Sequence, residues 1–321
     1  MRFIIALFLA MTLHGCQQPM AKRARTMRDI FARLDERSKK DPHFSDTQRV
    51  AALKEKYVGL FNGKRLDFSR YNDEVLRDFW GIFGTMSFHS RETKYLVERE
   101  RVFEELKKRD IHKASCKNTG SKGSCVGDLF FSYVSFGDFA KAKQLRLEYP
   151  DILSDEPIPE ITEDPGLLEK PRKLYEVSQN GEALKLFSLE SRKGPEILAV
   201  LSPGCHFSRR ALDIIASSPD FREAFREYAT IIYPINVSLS AIPDIARWNR
   251  EHPELRYYLH SDNEAHIKGW EGLDFSSTPQ FYFMNDGKIA FQIGGWGPTD
   301  DKFRENLSAG IQQIKKASPE Q

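Results

Sequence analysis

Apolar residues in the first half of the chain recur with the period of α-helices. A first helix is predicted by residues spaced i, i+3, i+4 and i+7, namely Met27, Ile30, Phe31 and Leu34. A second helix, for which Asn72 is a suitable N-cap, has its apolar face at Val75, Leu76, Phe79, Ile82, Phe83 and Met86. A third helix is indicated by Leu96, Phe103 and Leu106. Residues 26–150 are therefore expected to form an all-α domain.

The second half alternates between apolar runs of strand length and amphipathic helical stretches. The runs "KLYEVS" and "ALKLFSLE" flank a turn at Asn180-Gly181, and "EILAVLS" is typical of a buried central strand. A helical pattern extends from Ser208 to Tyr228, then "TIIYPI" predicts another buried strand and "PDIARWNREHPEL" another helix. The runs "TPQFYFMN" and "KIAFQIGG" form a hairpin across Asp286-Gly287, and "DDKFRENLSAGIQQIKK" is a closing helix. Residues 172–317 are therefore expected to form a mixed sheet covered by helices on both faces.

Two features connect these halves. The stretch "GDLFFSYVSFGDFAKAKQLRLEYP" predicts two short helices broken near Gly137, and its Tyr133, Gly137, Phe139 and Ala140 resemble a tetratricopeptide-type helical hairpin. Because only one such unit is found, an irregular bundle and a helical-repeat array both remain open. Residues 151–171 are acidic and rich in proline, which predicts a stiff linker between the domains.

The N-terminus predicts export and lipid attachment. A short positive start and the apolar run Phe3–Leu13 are typical of a signal peptide, here residues 1–15. Leu13-His14-Gly15-Cys16 resembles the lipobox of bacterial lipoproteins, although His14 departs from that pattern. The resemblance implies an acylated Cys16, a tether over residues 16–25 and, from Gln17 after the cysteine, the periplasmic face of the outer membrane.

Composition narrows the class of partner. Charged residues make up 29% of the chain and hydrophobic residues 40%, a globular composition. With 48 basic and 46 acidic residues the net charge is only +2, which argues against nucleic acid as a partner. The run Phe3–Leu13 is too short to span a bilayer as a stable helix, and no other segment is long and apolar enough to predict a membrane span.

The cysteines divide into a pair and a single thiol. Cys116 and Cys125 bracket the polar segment "KNTGSKGS", and in an oxidising compartment a disulfide between them is expected. Closing so short a loop stabilises a fold by about 2–3 kcal/mol in the chain-entropy model. Cys205 is then the odd thiol of an exported protein.

The residues around Cys205 resemble the active site of thioredoxin-like proteins over residues 172–317. The resemblance rests on Cys205-His206-Phe207-Ser208 between a strand and a helix, and on Ser277-Thr278-Pro279 before the hairpin. It implies a cis peptide before Pro279, which packs against Cys205. It also implies that His206, Phe207 and Thr278 lie where a substrate binds.

Helix position and residue type then predict the chemistry. A cysteine at a helix N-terminus is stabilised as the thiolate, which is the nucleophile, and His206 and Arg209 add positive charge nearby. Because Ser208 stands where a resolving cysteine would be, the sequence predicts a monothiol. Its partners would be envelope protein thiols or disulfides, or a small thiol. The rival interpretation is a non-catalytic envelope scaffold that uses the domain for protein binding.

Metal and cofactor chemistry is not expected. A second cysteine near Cys205 is absent, and His260 and His266 alone do not define a metal site. The catalytic residues predicted from the thioredoxin-like resemblance are Cys205, Ser208 and Pro279.

We expect Cys16 to carry lipid and the mature protein to fractionate with membranes. The Cys16→Ser variant lacks the acylated sulfur, so it should no longer incorporate labelled fatty acid, whereas Cys205→Ser should incorporate it normally. Absence of label from the wild-type protein would show that the lipobox interpretation is wrong.

Overall fold

The structure is a computed structural model that describes residues 20–37, 40–41, 46–61, 66–114, 116, 123–154, 158–167, 169–234, 239–261, 266 and 268–316. The predicted signal peptide and Cys16 lie outside the described residues. Within these ranges, no helix combines the length and the apolar character that crossing a bilayer requires. The chain divides into two compact units, Met1–Ser132 with Leu145–Leu153, and Tyr133–Gln144 with Ser154–Gln321.

The first unit contains the helices predicted from the apolar periodicity. They are α1 (residues 20–37), α2 (Asp46–Phe61), α3 (Asp73–Ser90) and α4 (Thr93–Lys108). Helix α1 begins earlier than the sequence indicated, because Ala24 in the predicted tether is fully buried beside Met27. The predicted cap of α3 is present, with the Asn72 side chain accepting a hydrogen bond from the Val75 N–H at 3.0 Å.

A buried polar cluster joins three helices of this unit. The Arg99 guanidinium of α4 lies 4.1 Å from the Trp80 ring centre of α3, and 3.5 Å from the carboxylate of Asp128. Asp128 also accepts a hydrogen bond from the Trp80 indole at 3.2 Å. Burial lowers the pKa of Arg99 to about 10, against the opposing effect of Asp128. The arginine remains charged at neutral pH and is paired, as a buried charge must be.

Asp128 lies in α5 (Cys125–Ser135). This helix is followed by the short helix α6 (Phe139–Glu148) and by a single helical turn, α7 (Pro150–Leu153). Gly137 separates α5 from α6 with a φ of +69°, a conformation that favours glycine. At the start of α5 the sulfur atoms of Cys125 and Cys116 are bonded, with a Cα–Cα distance of 5.3 Å.

The second unit is built on a sheet whose strands are β1 (Glu160–Thr162), β2 (Lys173–Val177), β3 (Ala183–Ser188), β4 (Pro195–Val200), β5 (Ala229–Pro234), β6 (Tyr257–His260), β7 (Gln280–Asn285) and β8 (Lys288–Gly294). Its helices are α8 (His206–Ser217), α9 (Pro219–Tyr228), α10 (Ile242–Glu251) and α11 (Asp300–Lys316). Short 3-10 turns occupy Pro165–Leu167 and Leu239–Ala241 in this unit, and Phe68–Arg70 in the first unit.

The sheet has the order β1-β3-β2-β6-β5-β4-β7-β8. Strand β4, the predicted central strand, pairs in parallel with β5 and antiparallel with β7. Helices α8 and α9 connect β4 to its parallel neighbour, and β7 and β8 form the predicted hairpin before α11. A cis peptide joins Thr278 to Pro279 just before β7. This arrangement defines a thioredoxin-like fold, so the predicted fold class, a helical region followed by this α/β domain, is confirmed.

Three local features differ from the sequence interpretation. Part of the predicted linker, residues 151–171, is strand β1, which pairs in parallel with β3. Strand β6 was not predicted, because four residues are too few to show a period. The helical pattern from Ser208 to Tyr228 is divided at Ser218, where Pro219 begins α9, and its first helix begins at His206.

The packing of α11 on the sheet yields a stability prediction. A Cβ at Gly310 would lie 2.5 Å from the Phe283 ring of β7, so Gly310→Ala should lower the free energy of unfolding by about 1–3 kcal/mol. Gly59, in the last turn of α2, has open space around it, and Gly59→Ala should instead raise this free energy by at most about 0.5–1 kcal/mol. Denaturant unfolding measures both, and an undiminished stability of Gly310→Ala would contradict the packing described.

Candidate functional site

Cys205 lies at the junction between the central strand and the helix that follows it. Its backbone N–H donates to the Ser202 carbonyl at 3.0 Å, and its own carbonyl accepts from the Arg209 N–H at 3.1 Å. With φ −85° and ψ 122° it is the N-cap residue of α8, so its side chain lies where the first N–H groups of the helix have no intrahelical partner. The thiol is partly exposed.

Hydrogen bonds determine the ionisation of this thiol. Burial alone raises the pKa of Cys205, but donors at the sulfur outweigh it and hold the pKa below that of a free cysteine. The strongest are the backbone N–H and the hydroxyl of Ser208, followed by Thr278 and by the backbone N–H of Phe207. The neighbouring cations expected from the sequence are not among these main causes. The helix terminus and two hydroxyl side chains thus favour the nucleophilic thiolate.

Ser208 lies between the Ser202 N–H and the Cys205 sulfur and is hydrogen-bonded to both. It is fully buried, and its hydroxyl accepts a hydrogen bond from the Ser202 N–H at 3.2 Å. Because that bond occupies the oxygen as an acceptor, the hydroxyl proton is free to be donated to the Cys205 sulfur. A serine here therefore stabilises the thiolate but has no sulfur with which to form an internal disulfide.

The loop before β7 meets the same sulfur. The Cys205 thiol donates to the Thr278 carbonyl at 3.5 Å, and the next peptide bond, to Pro279, is cis. Pro279 is buried, and its carbonyl accepts from the Gly295 N–H at 2.9 Å, which ties this loop to the end of β8. The structure thus brings together the sequence-predicted residues Cys205, Ser208, Thr278 and Pro279.

An aromatic surface adjoins the thiol. Phe207 is 48% exposed and stacks on Trp296, with ring centres 6.2 Å apart and an interplanar angle of 22°. Trp296 in turn stacks on Phe303 of α11 at 4.4 Å. His206 is exposed, and its ring lies 5.6 Å from Phe207. Trp296 was not predicted as a site residue, although its place between Gly295 and Gly297 is typical of an aromatic residue on a tight loop.

The two histidines considered as ligands lie in the interior of the second unit. The His260 ring stacks on Phe275 with centres 4.1 Å apart, and His266 Nδ1 lies 2.7 Å from the Ser261 hydroxyl. Burial, followed by the charge of Lys173, lowers the pKa of His266 to about 4. In the part of the chain that the structure describes, no three His, Cys, Asp or Glu side chains are grouped as a metal site would require.

Comparisons with known proteins give little beyond this geometry. No protein-family model matches the chain, and no curated protein matches it. Among solved structures, a thioredoxin-like protein from Bacteroides caccae ATCC 43185 is 12% identical over 84% of each chain, with a TM-score of 0.27. The C-terminal domain of an uncharacterized protein from Bacteroides fragilis NCTC 9343 is 17% identical over 43% of this chain and 94% of that chain, with the same TM-score. A TM-score of 0.27 is too low to establish a shared fold. The assignment of a thioredoxin-like fold therefore rests on the strand order and the cis-proline loop of this chain.

The hydrogen bonds at the sulfur give a pH-dependent prediction. Because the reactive thiolate is lost as pH falls through the pKa of Cys205, the alkylation rate with iodoacetamide should reach half its maximum below the pH found for a free cysteine. Ser208→Ala removes the strongest side-chain donor and should move this midpoint upward. Ser217→Ala, which alters a hydroxyl bonded to the Ile214 carbonyl near the other end of α8, should not. A midpoint unchanged by Ser208→Ala would contradict the assigned cause.

Proposed function

We propose that this protein carries out monothiol thiol–disulfide exchange through Cys205 in the bacterial cell envelope. One observation supports this most directly: a partly exposed thiol with a lowered pKa lies at the start of α8, and its main side-chain donor is a serine. The thiolate is the species that attacks disulfides. A serine in place of the second cysteine cannot attack the resulting mixed disulfide, as a dithiol site would.

The reaction then has two separate halves. The Cys205 thiolate attacks one sulfur of a client disulfide, a Cys205–client bond forms, and the other client sulfur leaves as a thiolate that takes up a proton. Ser208 cannot displace the client, so the mixed disulfide persists until an external thiolate attacks it. Release therefore needs a thiol that this site does not supply, either a second cysteine of the client or a small thiol.

Client binding would use the groups around the sulfur. The exposed ring of Phe207, which stacks on the buried Trp296, offers an apolar surface for a side chain next to the client cysteine. In the described part of the chain the Thr278 N–H makes no hydrogen bond, so it is available to the backbone of an extended peptide. His206, Phe207 and Thr278 are accordingly the proposed substrate-binding residues.

The proposal includes an envelope location. The leader and the lipobox-like sequence ending at Cys16 support export and lipid anchoring, with the outer membrane's periplasmic face favoured by Gln17. A bonded Cys116–Cys125 pair is compatible with this, because disulfides persist in oxidising compartments.

A scaffold role is the second candidate, and the exposed ring of Phe207 favours it. The stacking of Phe207 on Trp296 does not need the sulfur, so partners could bind there without covalent chemistry. Cys205→Ser separates the two functions, since exchange requires the sulfur and scaffold binding does not.

The sharpest test restores the missing group. Because the Ser208 hydroxyl hydrogen-bonds the Cys205 sulfur, the thiol introduced by Ser208→Cys would lie within reach of it. That thiol should attack the Cys205 sulfur of a mixed disulfide, form an internal disulfide and release the client as a thiol. We expect the half-life of a trapped peptide adduct to fall at least about tenfold, a change of about 1.4 kcal/mol in barrier.

Mass spectrometry of adducts formed with a disulfide-bonded peptide measures this half-life. Ser217→Cys provides a matched control, because its thiol lies near the far end of α8 and should leave the half-life unchanged. Failure of the wild-type protein to form any adduct, together with unchanged partner binding by Cys205→Ser, would favour the scaffold role instead.

A further inference from the structure

A cavity of about 480 Å³ lies between α8 and α10 of the second unit. The face of α8 that lines it has residues spaced i, i+3, i+4 and i+7, namely His206, Arg209, Arg210 and Asp213. Pro203 also lines it, so residues on both sides of Cys205 border the cavity. The volume suits a small molecule, and two of the lining residues, Pro203 and His206, flank Cys205 in the chain.

The opposite wall has the same spacing on α10. Its residues are Asp244, Arg247, Trp248 and Glu251. Two faces that each carry both signs of charge therefore oppose one another across the cavity. This pattern favours a ligand that itself carries both charges.

Part of this charge is already paired. Arg210 makes an ion pair with Asp300, with one N–O distance of 2.9 Å, and Arg247 pairs with Asp244 at 2.6 Å. Within the described ranges, the side chains of Arg209, Asp213 and Glu251 have no ion-pair partner. The cavity thus offers the exposed guanidinium of Arg209, which matches a carboxylate, and the exposed carboxylates of Asp213 and Glu251, which match an ammonium group, although Asp213 also attracts Arg210.

Tyr257 of β6 supplies a second, independent observation. Its side chain lines the cavity and is only 1% exposed, and its hydroxyl has no hydrogen-bond partner among the described residues. Asn249 holds the Tyr257 backbone from both sides, at 2.7 Å to the N–H and 3.0 Å to the carbonyl. A buried hydroxyl without a partner costs free energy.

We propose that this cavity binds the external thiol of the exchange cycle, and that this thiol is a small zwitterion with an ammonium and a carboxylate group. The inference rests on the proposed monothiol function, in which no second cysteine of the site releases the client. The ligand thiolate attacks the Cys205 sulfur of the mixed disulfide, forming a Cys205–ligand disulfide while the client leaves as a thiol. A second ligand thiolate then attacks the ligand sulfur, which yields the ligand disulfide and the free Cys205 thiolate.

The reverse of the last step gives the test, because Cys205 must then attack the ligand disulfide through the same transition state. Four symmetric disulfides are compared on the full-length protein: cystine is zwitterionic, cystamine cationic, 3,3′-dithiodipropionate anionic and 2-hydroxyethyl disulfide uncharged. Intact mass spectrometry measures each rate of adduct formation at Cys205, divided by the rate of the same disulfide with a free cysteine peptide. We expect the normalised rate of cystine to exceed the other three by about tenfold.

Variants locate the preference in the cavity. Arg209→Gln, Asp213→Asn and Tyr257→Phe should each reduce the preference for cystine several-fold, with the rate of the uncharged disulfide normalising any change in thiolate reactivity. Arg222→Gln, on an exposed position of α9 outside the cavity, should leave the preference unchanged.

The outcomes separate the two proposals. Equal normalised rates for all four disulfides, or a preference that survives the three cavity variants, would overturn the cavity assignment while the monothiol function stands. If none of the four reacts at Cys205, the monothiol function fails and this inference fails with it.

Discussion

The hydrogen bonds that converge on the Cys205 sulfur are the interaction on which the rest of this account depends. They exist because the chain leaves the buried strand β4, turns at Ser202, and begins α8 at the next residue after the cysteine. The unpaired N–H groups of a helix start are fixed donors, and the Ser208 hydroxyl is oriented by the Ser202 N–H behind it. Hydrogen-bond donors, rather than the neighbouring cations, are therefore the main groups that lower the pKa of Cys205.

The same serine both activates the thiol and limits what it can do. It lowers the pKa of Cys205, which favours attack on a disulfide, yet it leaves the product unresolved. In the proposed monothiol cycle the domain captures a client, and a thiol of the client or of a second molecule releases it. We propose that the exposed Phe207 ring binds a peptide and that the cavity between α8 and α10 binds a small molecule.

Much of this arrangement could be predicted from the sequence, because its signals are local. The continuous apolar run of β4, the position of Cys205 before a helix, and Thr278-Pro279 before a hairpin each occupy a few consecutive residues. Strand β6 and the roles of Trp296 and Tyr257 could not be predicted in this way. These roles depend on the tertiary structure. Trp296 is part of the site because its ring stacks on Phe207, and Tyr257 is singled out because its buried hydroxyl has no hydrogen-bond partner among the described residues.

The most direct test of the central claim is the intact mass of the wild-type protein after reaction with a disulfide-bonded peptide, followed by peptide mapping without reduction. The account predicts one adduct per chain, located on Cys205, which persists until a small thiol is added while Cys116 and Cys125 remain bonded to each other. Absence of an adduct would contradict it. So would loss of the adduct through a new disulfide between Cys205 and Cys116 or Cys125, because the protein would then resolve its own mixed disulfide.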